Sequence, residues 1–512
     1  MKTSEDSRSE NLRSFSFLTL ITVGTKLITF IYEAVIAAKM GANISTDAYF
    51  SATEIFSVID DTLLTSFTIA ALGRFSLHME EDGKDSAYAA ISNIFSVYLP
   101  VIAVISLLIF TAAKPLSYVA APGFNSAQRV LTIRSIREMA AVPLIMCGVS
   151  IYSAVLRYNK SYALVNMKGI FIGIIGAAAV LILGSETAIQ ADVLSVSFVC
   201  SIIAYCAAMK LRVRSFGKVS LCRPVINEDI KTTLKMAVPL MISFGVSSGV
   251  LLIDKMIAST LGSGNVSALT YSHTLYRVVE NIFITNLAMI LLTDFNDYAV
   301  KKDSEKLKEK IQSAACVMTA VLIPVTITAV LCRIDIVKII YQRGEFTAQA
   351  TEQVGNVLMF YALNFIPALL QAIYNHAMYS VGDTKTPMRI SLMCIAVNIC
   401  VSLPLTKVLG LPGVAIGTVV STLLAAAAEN IKMKRYIENY KGCYTVSFVI
   451  NSIIAAVPAA LAARAAGACS HSSLLSFVFT AAAAFTVYFA LMYILKDQTV
   501  RELIKMCGKA RG

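Results

Sequence analysis

The sequence is poor in charge. Asp, Glu, Lys and Arg make up 15% of its 512 residues, against about 25% in soluble domains, which excludes an ordinary soluble protein. Short strands of alternating polarity are missing as well, and a membrane barrel needs them. No Walker A loop occurs, so the chain does not itself hydrolyse ATP. Neither an HExxH nor a Cys–His set is found, and the four histidines (78, 273, 376, 471) are too scattered for a metal centre. The eleven cysteines (147, 200, 206, 222, 316, 332, 394, 400, 443, 469, 507) show neither ligand spacing nor a paired framework. Most lie in apolar segments and read as small apolar fillers in a reducing or lipid setting. A cleavable signal peptide is not expected, because the apolar run after the polar first twelve residues is long enough to remain as a spanning helix.

What fills the chain is hydrophobic sequence, 57% of it, with mean hydropathy +0.70. Apolar segments recur at the ~20-residue length a helix needs to cross hydrocarbon. Backbone amides in lipid must pair within their own segment, so the expected class is an all-α polytopic membrane protein. About 14 transmembrane helices are expected, near 15–39, 47–73, 86–113, 130–156, 162–183, 190–211, 232–261, 266–294, 311–333, 353–380, 387–406, 411–431, 444–465 and 472–495. The net charge of +12 invites a nucleic-acid partner, but its distribution excludes one. With both termini cytoplasmic, thirty of the 44 Lys and Arg face that side, ten face outside and four (Lys26, Lys168, Lys255, Arg277) fall within spans. The heaviest basic clusters, Lys210 to Lys235, Lys301 to Lys310, Lys432 to Lys441 and the tail from Lys496, all face the cytoplasm under this count, as positive charge does.

The chain repeats itself. Gly41 to Thr53 reads GANISTDAYFSAT and Gly262 to Thr274 reads GSGNVSALTYSHT, which aligns Gly41 with Gly262, Phe50 with Tyr271, Ser51 with Ser272 and Thr53 with Thr274. Ala121-Pro122-Gly123-Phe124 and Arg343-Gly344-Glu345-Phe346 continue the correspondence. Two six-helix lobes follow, 1–215 and 216–436, related by a pseudo-two-fold axis along the membrane normal. Residues 437–512 add two helices and a basic cytoplasmic tail. Parallel repeats of this kind mark transporters that alternate access to a site between their halves. The Ala-rich runs Ala455–Ala466 and Ala481–Ala484 suit close packing of the added pair.

Ionisable groups inside spans cost ~2.5–3.5 kcal/mol each on insertion scales and usually meet a cavity or a partner. Glu54, Ser57, Asp61 and Thr65 share one stripe, with Asp60 beside it. His273, Arg277, Glu280 and Asn281 form another, and Lys26 shares a face with Glu33. These stripes suggest a hydrated cavity lined by Lys26, Glu54, Asp60, Asp61, His273, Arg277 and Glu280. Glu33, Lys168 and Lys255 read instead as internal ion-pair partners or end residues that snorkel. Asp254, Asn398, Ser402 and Thr418 offer oxygen donors of the kind a hard monovalent cation takes, though plain interhelical hydrogen bonding explains them too. The Gly382-Asp383-Thr384-Lys385-Thr386-Pro387 loop reads as a turn whose proline starts the next helix.

Several of these motifs together resemble the MurJ (MviN) family of lipid II flippases. They are Thr46-Asp47-Ala48-Tyr49-Phe50, Ala121 to Phe124, Tyr341 to Phe346, Phe360-Tyr361-Ala362, Gly382 to Pro387 and Leu409-Gly410-Leu411-Pro412-Gly413. The resemblance covers essentially all fourteen spans. It implies the multidrug/oligosaccharidyl-lipid/polysaccharide exporter fold in the bacterial cytoplasmic (inner) membrane. The implied cargo is undecaprenyl-diphosphate-linked peptidoglycan precursor, carried to the outer leaflet for cell-wall synthesis. It also implies that Asp47, the acid of the first corner, belongs to the substrate-handling set. Asp254, Asn398, Val414 and Thr418 match a sodium site found in some members, with Ser402 standing where an acid is expected. The chain departs from the pattern where the family places cavity arginines. Those positions carry Lys26, Tyr32, Asp60 and Thr274, with Arg277 one turn beyond the last. Lys keeps the charge but not the bidentate fork.

Counting deep groups, Lys26, Lys255 and Arg277 face Glu33, Glu54, Asp60, Asp61, Asp254 and Glu280, an excess of acid that would repel a diphosphate. The leading expectation is a non-enzymatic flippase working by alternating access. It would use no cofactor except Na+ or H+ as coupling ion, with membrane lipid and cell-wall synthesis proteins as partners. A cation-coupled exporter of small cations on the same fold, and a non-transporting cell-wall scaffold, are the alternatives.

Overall fold

The computed structural model describes residues 4–184, 189–285, 291, 295, 298, 301, 303–437, 440, 442–470, 472–495, 497 and 499. Side chains are described from residue 21 onward, apart from 243, 246, 247 and 285. His471, Lys441, the basic tail from Lys496, and most of 286–302 lie outside these residues. The described residues form twenty α-helices, two π-helical turns and no strand. They divide into two compact units, Met1–Ser267 with Gly344–Phe346, and Ala268–Arg343 with Thr347–Gly512.

Unit 1 holds α1 (Ser4–Met40), α2 (Ile44–Ile59), α3 (Ser66–Glu81), α4 (Lys84–Thr111), α5 (Ala113–Ala120), α6 (Ser126–Met139), α7 (Val142–Tyr158), α8 (Tyr162–Val165), α9 (Lys168–Leu183), α10 (Gln190–Arg214) and α11 (Glu228–Ser259). α2 and α3 are one continuous rod, interrupted by a π-helical turn at Asp60–Thr65. α11, first helix of the second sequence repeat, packs here against α2 and α3. The basic linker before it is anchored rather than loose. Asn93 of α4 accepts from the Val225 amide (2.9 Å) and donates to its carbonyl (2.8 Å). The Ser96 hydroxyl accepts from the Cys222 amide at 2.8 Å. Side chains of α4 thus satisfy an extended backbone that has no sheet to join.

α12 (Asn265–Val279) leads into unit 2 and ends in a second π-helical turn, Glu280–Thr285. The remaining helices are α13 (Ser304–Leu331), α14 (Arg333–Ile340), α15 (Ala348–Leu363), α16 (Phe365–Ser380), α17 (Lys385–Leu409), α18 (Pro412–Met433), α19 (Val446–Ala468) and α20 (Ser473–Ile494). Pro387 falls in the first turn of α17, where a missing amide hydrogen costs nothing. The alanine run packs as its composition suggests: Ala455, Ala459 and Ala463 are wholly buried, one turn apart on α19. Ala455 and Ala459 share a core with Tyr488 and Met492 of α20 and with Cys316 and Ala320 of α13. On the other faces of α19, Val446, Ile450, Ile453, Val457 and Leu461 are exposed, the distribution of a helix solvated by hydrocarbon.

Ten helical segments among the described residues are long and apolar enough to cross a membrane, or eleven with the pair Ala348–Leu363 and Phe365–Ser380, bent by 42°. Apolarity alone therefore does not reach the expected fourteen. The shortfall falls where the sequence is shortest or most polar. α9 has 16 residues, α11 carries charged residues at its start and again at Asp254 and Lys255, and the continuation of α12 lies partly outside the described residues.

Candidate functional site

Unit 1 starts from the first corner. Gly41 has φ +71°, and a Cβ there would lie 2.6 Å from the Glu345 carbonyl oxygen, so only glycine fits. Asn43 then caps α2, its side chain accepting from the amides of Ser45 (2.8 Å) and Thr46 (3.0 Å). Thr46 Oγ1 accepts from the Asn43 amide in return, at 2.9 Å, a closed capping box. This rigid turn aims Asp47 inward, where it is completely buried. Its carboxylate accepts four hydrogen bonds, from the Gly264 amide (2.5 Å), the Ser267 amide (2.8 Å), the Ser267 hydroxyl (2.7 Å) and the Gln128 amide group (3.3 Å). Two related contacts accompany it. The Gly123 amide donates to Ser259 Oγ at 3.1 Å, and the Glu345 amide donates to the Ala38 carbonyl at 2.9 Å. Arg129 holds the Ala121–Phe124 turn in shape by donating to the carbonyls of residues 121, 122 and 124. Each of the repeated Gly-Phe and Gly-Glu-Phe turns thus docks on the end of the first helix of the other sequence repeat.

Two acids of the α2–α3 rod, Glu54 and Asp60, are neutralised within the unit. Lys255 of α11 reaches Glu54 at 2.8 Å and the Phe50 carbonyl at 3.1 Å, with both charged side chains under 10% exposed. Lys168, at the start of α9, pairs with Asp60 on the wall of a small cavity of about 30 Å³ lined also by Phe56, Leu64, Met146 and Phe198. Ser248 Oγ donates to Asp61 at 2.6 Å. Lys168, left out of the count of deep groups, and Lys255 thus take Asp60 and Glu54 as internal partners, which lowers the excess of acid from three to two. In this conformation Asp47 and Glu54 are taken up by protein groups, whereas Lys26 and Asp61 are exposed and Glu33 is half-buried.

At the far end of the α2–α3 rod a second polar knot forms. Asp229, in the first turn of α11, pairs with Arg74 and lies 3.0 Å from His78 Nε2; His78 Nδ1 lies 2.8 Å from Asp82. Burial alone would push the imidazole down, but its hydrogen bonds to Asp229 and Asp82 raise it above its ordinary value. Burial likewise opposes ionisation of Asp229, and Arg74 and His78 reverse that, holding its carboxyl low.

In unit 2 the second stripe is looser. Tyr276 stacks on Phe365 (5.4 Å, 5°) and accepts from Asn364 at 3.1 Å. His273 packs beside Tyr276 and Tyr361. Among the described residues Arg277 pairs with Glu280 of the π turn that follows, at 3.5 Å, and its side chain is 54% exposed. The oxygen donors of α17 and α18 also come together. Asn398 donates to Thr418 Oγ1 (3.2 Å), and Ser402 donates to Asn398 (3.3 Å) and to the Val414 carbonyl (3.4 Å). Asp254, the fifth member of the expected ion set, belongs to unit 1 and is buried.

A broken-helix, repeat-built, all-α membrane chain with paired charges in its spans is a polytopic transporter. Its fold is shared with a solved lipid II flippase MurJ in an inward closed conformation, at a TM-score of 0.80 and 15% identity, covering 95% of this chain and 99% of that one. An inward-facing multidrug transporter of the MATE family is more distant, at 0.63 and 13% identity over 81% of this chain and 98% of that one. A family model described as lipid II flippase MurJ matches residues 36–491. The chain belongs to that family. Among relatives, the probable lipid II flippase MurJ of Rhizobium tropici is 26% identical over 424 residues, 81% of this chain and 79% of its own. That of Rickettsia prowazekii (strain Madrid E) is 29% identical over 307 residues, 58% and 59%.

Motif reasoning from sequence missed Gln128, Arg129 and the Arg74–His78–Asp229 knot. Gln128 alone carried a local signal, standing three residues after Asn125 in a capping box.

Proposed function

We propose that this chain flips an undecaprenyl-diphosphate-linked peptidoglycan precursor from the inner to the outer leaflet of the bacterial cytoplasmic membrane by alternating access. The observation that carries the reading, beside family membership, is that Glu54 and Asp60 are neutralised internally. Glu54 and Asp60 are paired to Lys255 and Lys168, and Lys26 of α1 and Arg277 of α12 are cations with exposed side chains. Each of these two cations is assigned to the diphosphate, while the polyprenyl tail stays in lipid along α19 and α20. Both termini would be cytoplasmic, and the Asp47 corner would then face outside. Release of the headgroup on that side requires Asp47 to give up Gly264 and Ser267, and the two docked turns to leave α1 and α11. These are backbone-directed contacts that close without any added ligand.

Asn398, Ser402, Val414 and Thr418 would hold a monovalent cation. Their donors are all oxygens, which suits a hard ion, although Ser402 brings no charge where the family pattern has an acid. Cell-wall synthesis proteins would draw on the flipped product.

Lys26→Gln and Arg277→Gln are each expected to abolish complementation in cells depleted of their own flippase. They should also stop leaflet-resolved translocation of a lipid-linked precursor in proteoliposomes. Normal growth and translocation with both substitutions would overturn the assignment.

A further inference from the structure

A polar track runs along the α17–α18 interface, away from the Asn398–Ser402–Thr418 cluster. Gly417 lets the helices approach so closely that a Cβ there would sit 1.9 Å from Ser402 Oγ. One turn along α17, Cys394 donates to the Ser421 carbonyl at 3.3 Å. Two turns further along α18 the track ends at Glu429, eleven residues past Thr418. At 100° per residue that is nearly the same face. Glu429 is 0% exposed, and neither carboxylate oxygen has a hydrogen-bonding partner among the described residues. The Gln371 side chain of α16 lies alongside. The titratable groups that face it are Tyr379 from α16 and Cys394 from α17. α15, which also packs on α18, sends no cation to it, and Lys432 of its own helix makes no ion pair with it among the described residues.

A buried carboxylate without a cation is among the costliest arrangements a helix bundle can hold, and the inexpensive remedy is a proton. A metal ion would need several converging oxygens, and here there are two, with one amide beside them. We propose that Glu429 is a proton-binding site. Its carboxyl holds a proton while α16, α17 and α18 are packed as described, and gives that proton to water when the packing loosens and solvent reaches it. Protonation is thereby linked to the conformational cycle. The binding site stands on this geometry alone, whereas the link to the cycle rests on the flippase reading.

Infrared difference spectra of the purified full chain in lipid nanodiscs, recorded between acid and alkaline pH, test the site directly. Wild type should show a protonated-carboxyl band near neutral pH that E429Q loses and E429D retains at a shifted position. Spectra of wild type and E429Q that superimpose would overturn the proposal. Proteoliposome translocation over the same pH series tests the link: wild type should vary with pH, and E429Q should be flat and slower by about tenfold, a typical coupling between sites. A lost band with unchanged, pH-dependent translocation would overturn the link. A wild type that shows the band but moves no precursor would leave the proton site standing and sink the flippase reading instead.

Discussion

The two π-helical turns, Asp60–Thr65 in unit 1 and Glu280–Thr285 in unit 2, begin 220 residues apart and each opens on an acid. Their surroundings differ. Around the first, Lys168 comes from α9 to Asp60 and Ser248 from α11 to Asp61, so the turn is clamped from neighbouring helices. Around the second, Arg277 and Tyr276 reach Glu280 from the preceding turn of the same helix, and Asn281 donates back to the Arg277 carbonyl. Among the described residues, the side-chain polar contacts of the first turn thus come from neighbouring helices and those of the second from its own helix. Helices tolerate π turns mostly where function uses them. The comparison teaches where each repeat places its charges: Glu54 and Asp60 of the first are paired across helices, and the arginine of the second stays exposed beside a local partner.

The sharpest way to break that contrast is at Lys255. Replacing it with Met leaves Glu54 buried without a counter-charge, which is expected to cost about 3–5 kcal/mol. Thermal unfolding of the purified protein should show a large fall in midpoint, most of it recovered when Glu54→Gln is added. A loss below about 1 kcal/mol would mean that the pair is wetter than its geometry implies. Asp60 and Lys168 should follow at smaller scale. Both side chains are partly exposed, so a double-mutant cycle through D60N and K168M should return a coupling of about 1–2 kcal/mol. No coupling would remove the claim that the first π turn is clamped from outside its own rod.

The knot at the end of that rod adds a pH signature. His78 is raised above, and Asp229 held below, its ordinary value. The imidazole's contribution is complete below its unfolded value of about 6.5 and fades as pH rises through the raised folded value. The Asp229 contribution is present above the ordinary carboxylate range and fades as pH falls through its lowered value. H78Q should therefore be destabilised by roughly 1 kcal/mol at mildly acid pH. The difference from wild type should close as the solution is made alkaline. A gap that stays constant across the titration would show that His78 acts by packing alone.

Much of the scaffold was legible in the chain because it depends on short-range rules. Gly41 and Gly262, matched by the repeat, both have positive φ. Asn43 and Thr46 close their box within four residues, and Pro387 opens its helix where a proline belongs. The pairing of charges was not legible, because Lys168 finds Asp60 across 108 positions and Lys255 finds Glu54 across 201. Helical periodicity says which residues share a face, not which helix that face meets. Asp47 shows the same limit. Its place in the corner is local, while its donors Gly264 and Ser267 come from the other repeat. Glu429 stands three residues before Lys432, in a setting that reads as a solvated helix end, and only the packing of three helices buries it.

The second π turn provides the smallest effect on stability and the strongest test of the comparison. Arg277 and Glu280 form a local pair, exposed on the arginine side and worth about 0.3–0.5 kcal/mol, so R277Q should unfold almost at the wild-type midpoint. If the second repeat keeps its charge for cargo, the same substitution should nevertheless stop translocation, whereas E280Q, which frees the guanidinium, should preserve it. R277K would retain the charge without the planar fork, and should give intermediate translocation. Stability falling by several kcal/mol in R277Q would place Arg277 among the structural charges and erase the distinction between the two turns. Stability and translocation both unchanged would leave the distinction but empty it of function, since an exposed cation that neither braces the fold nor meets the cargo has no part in the cycle.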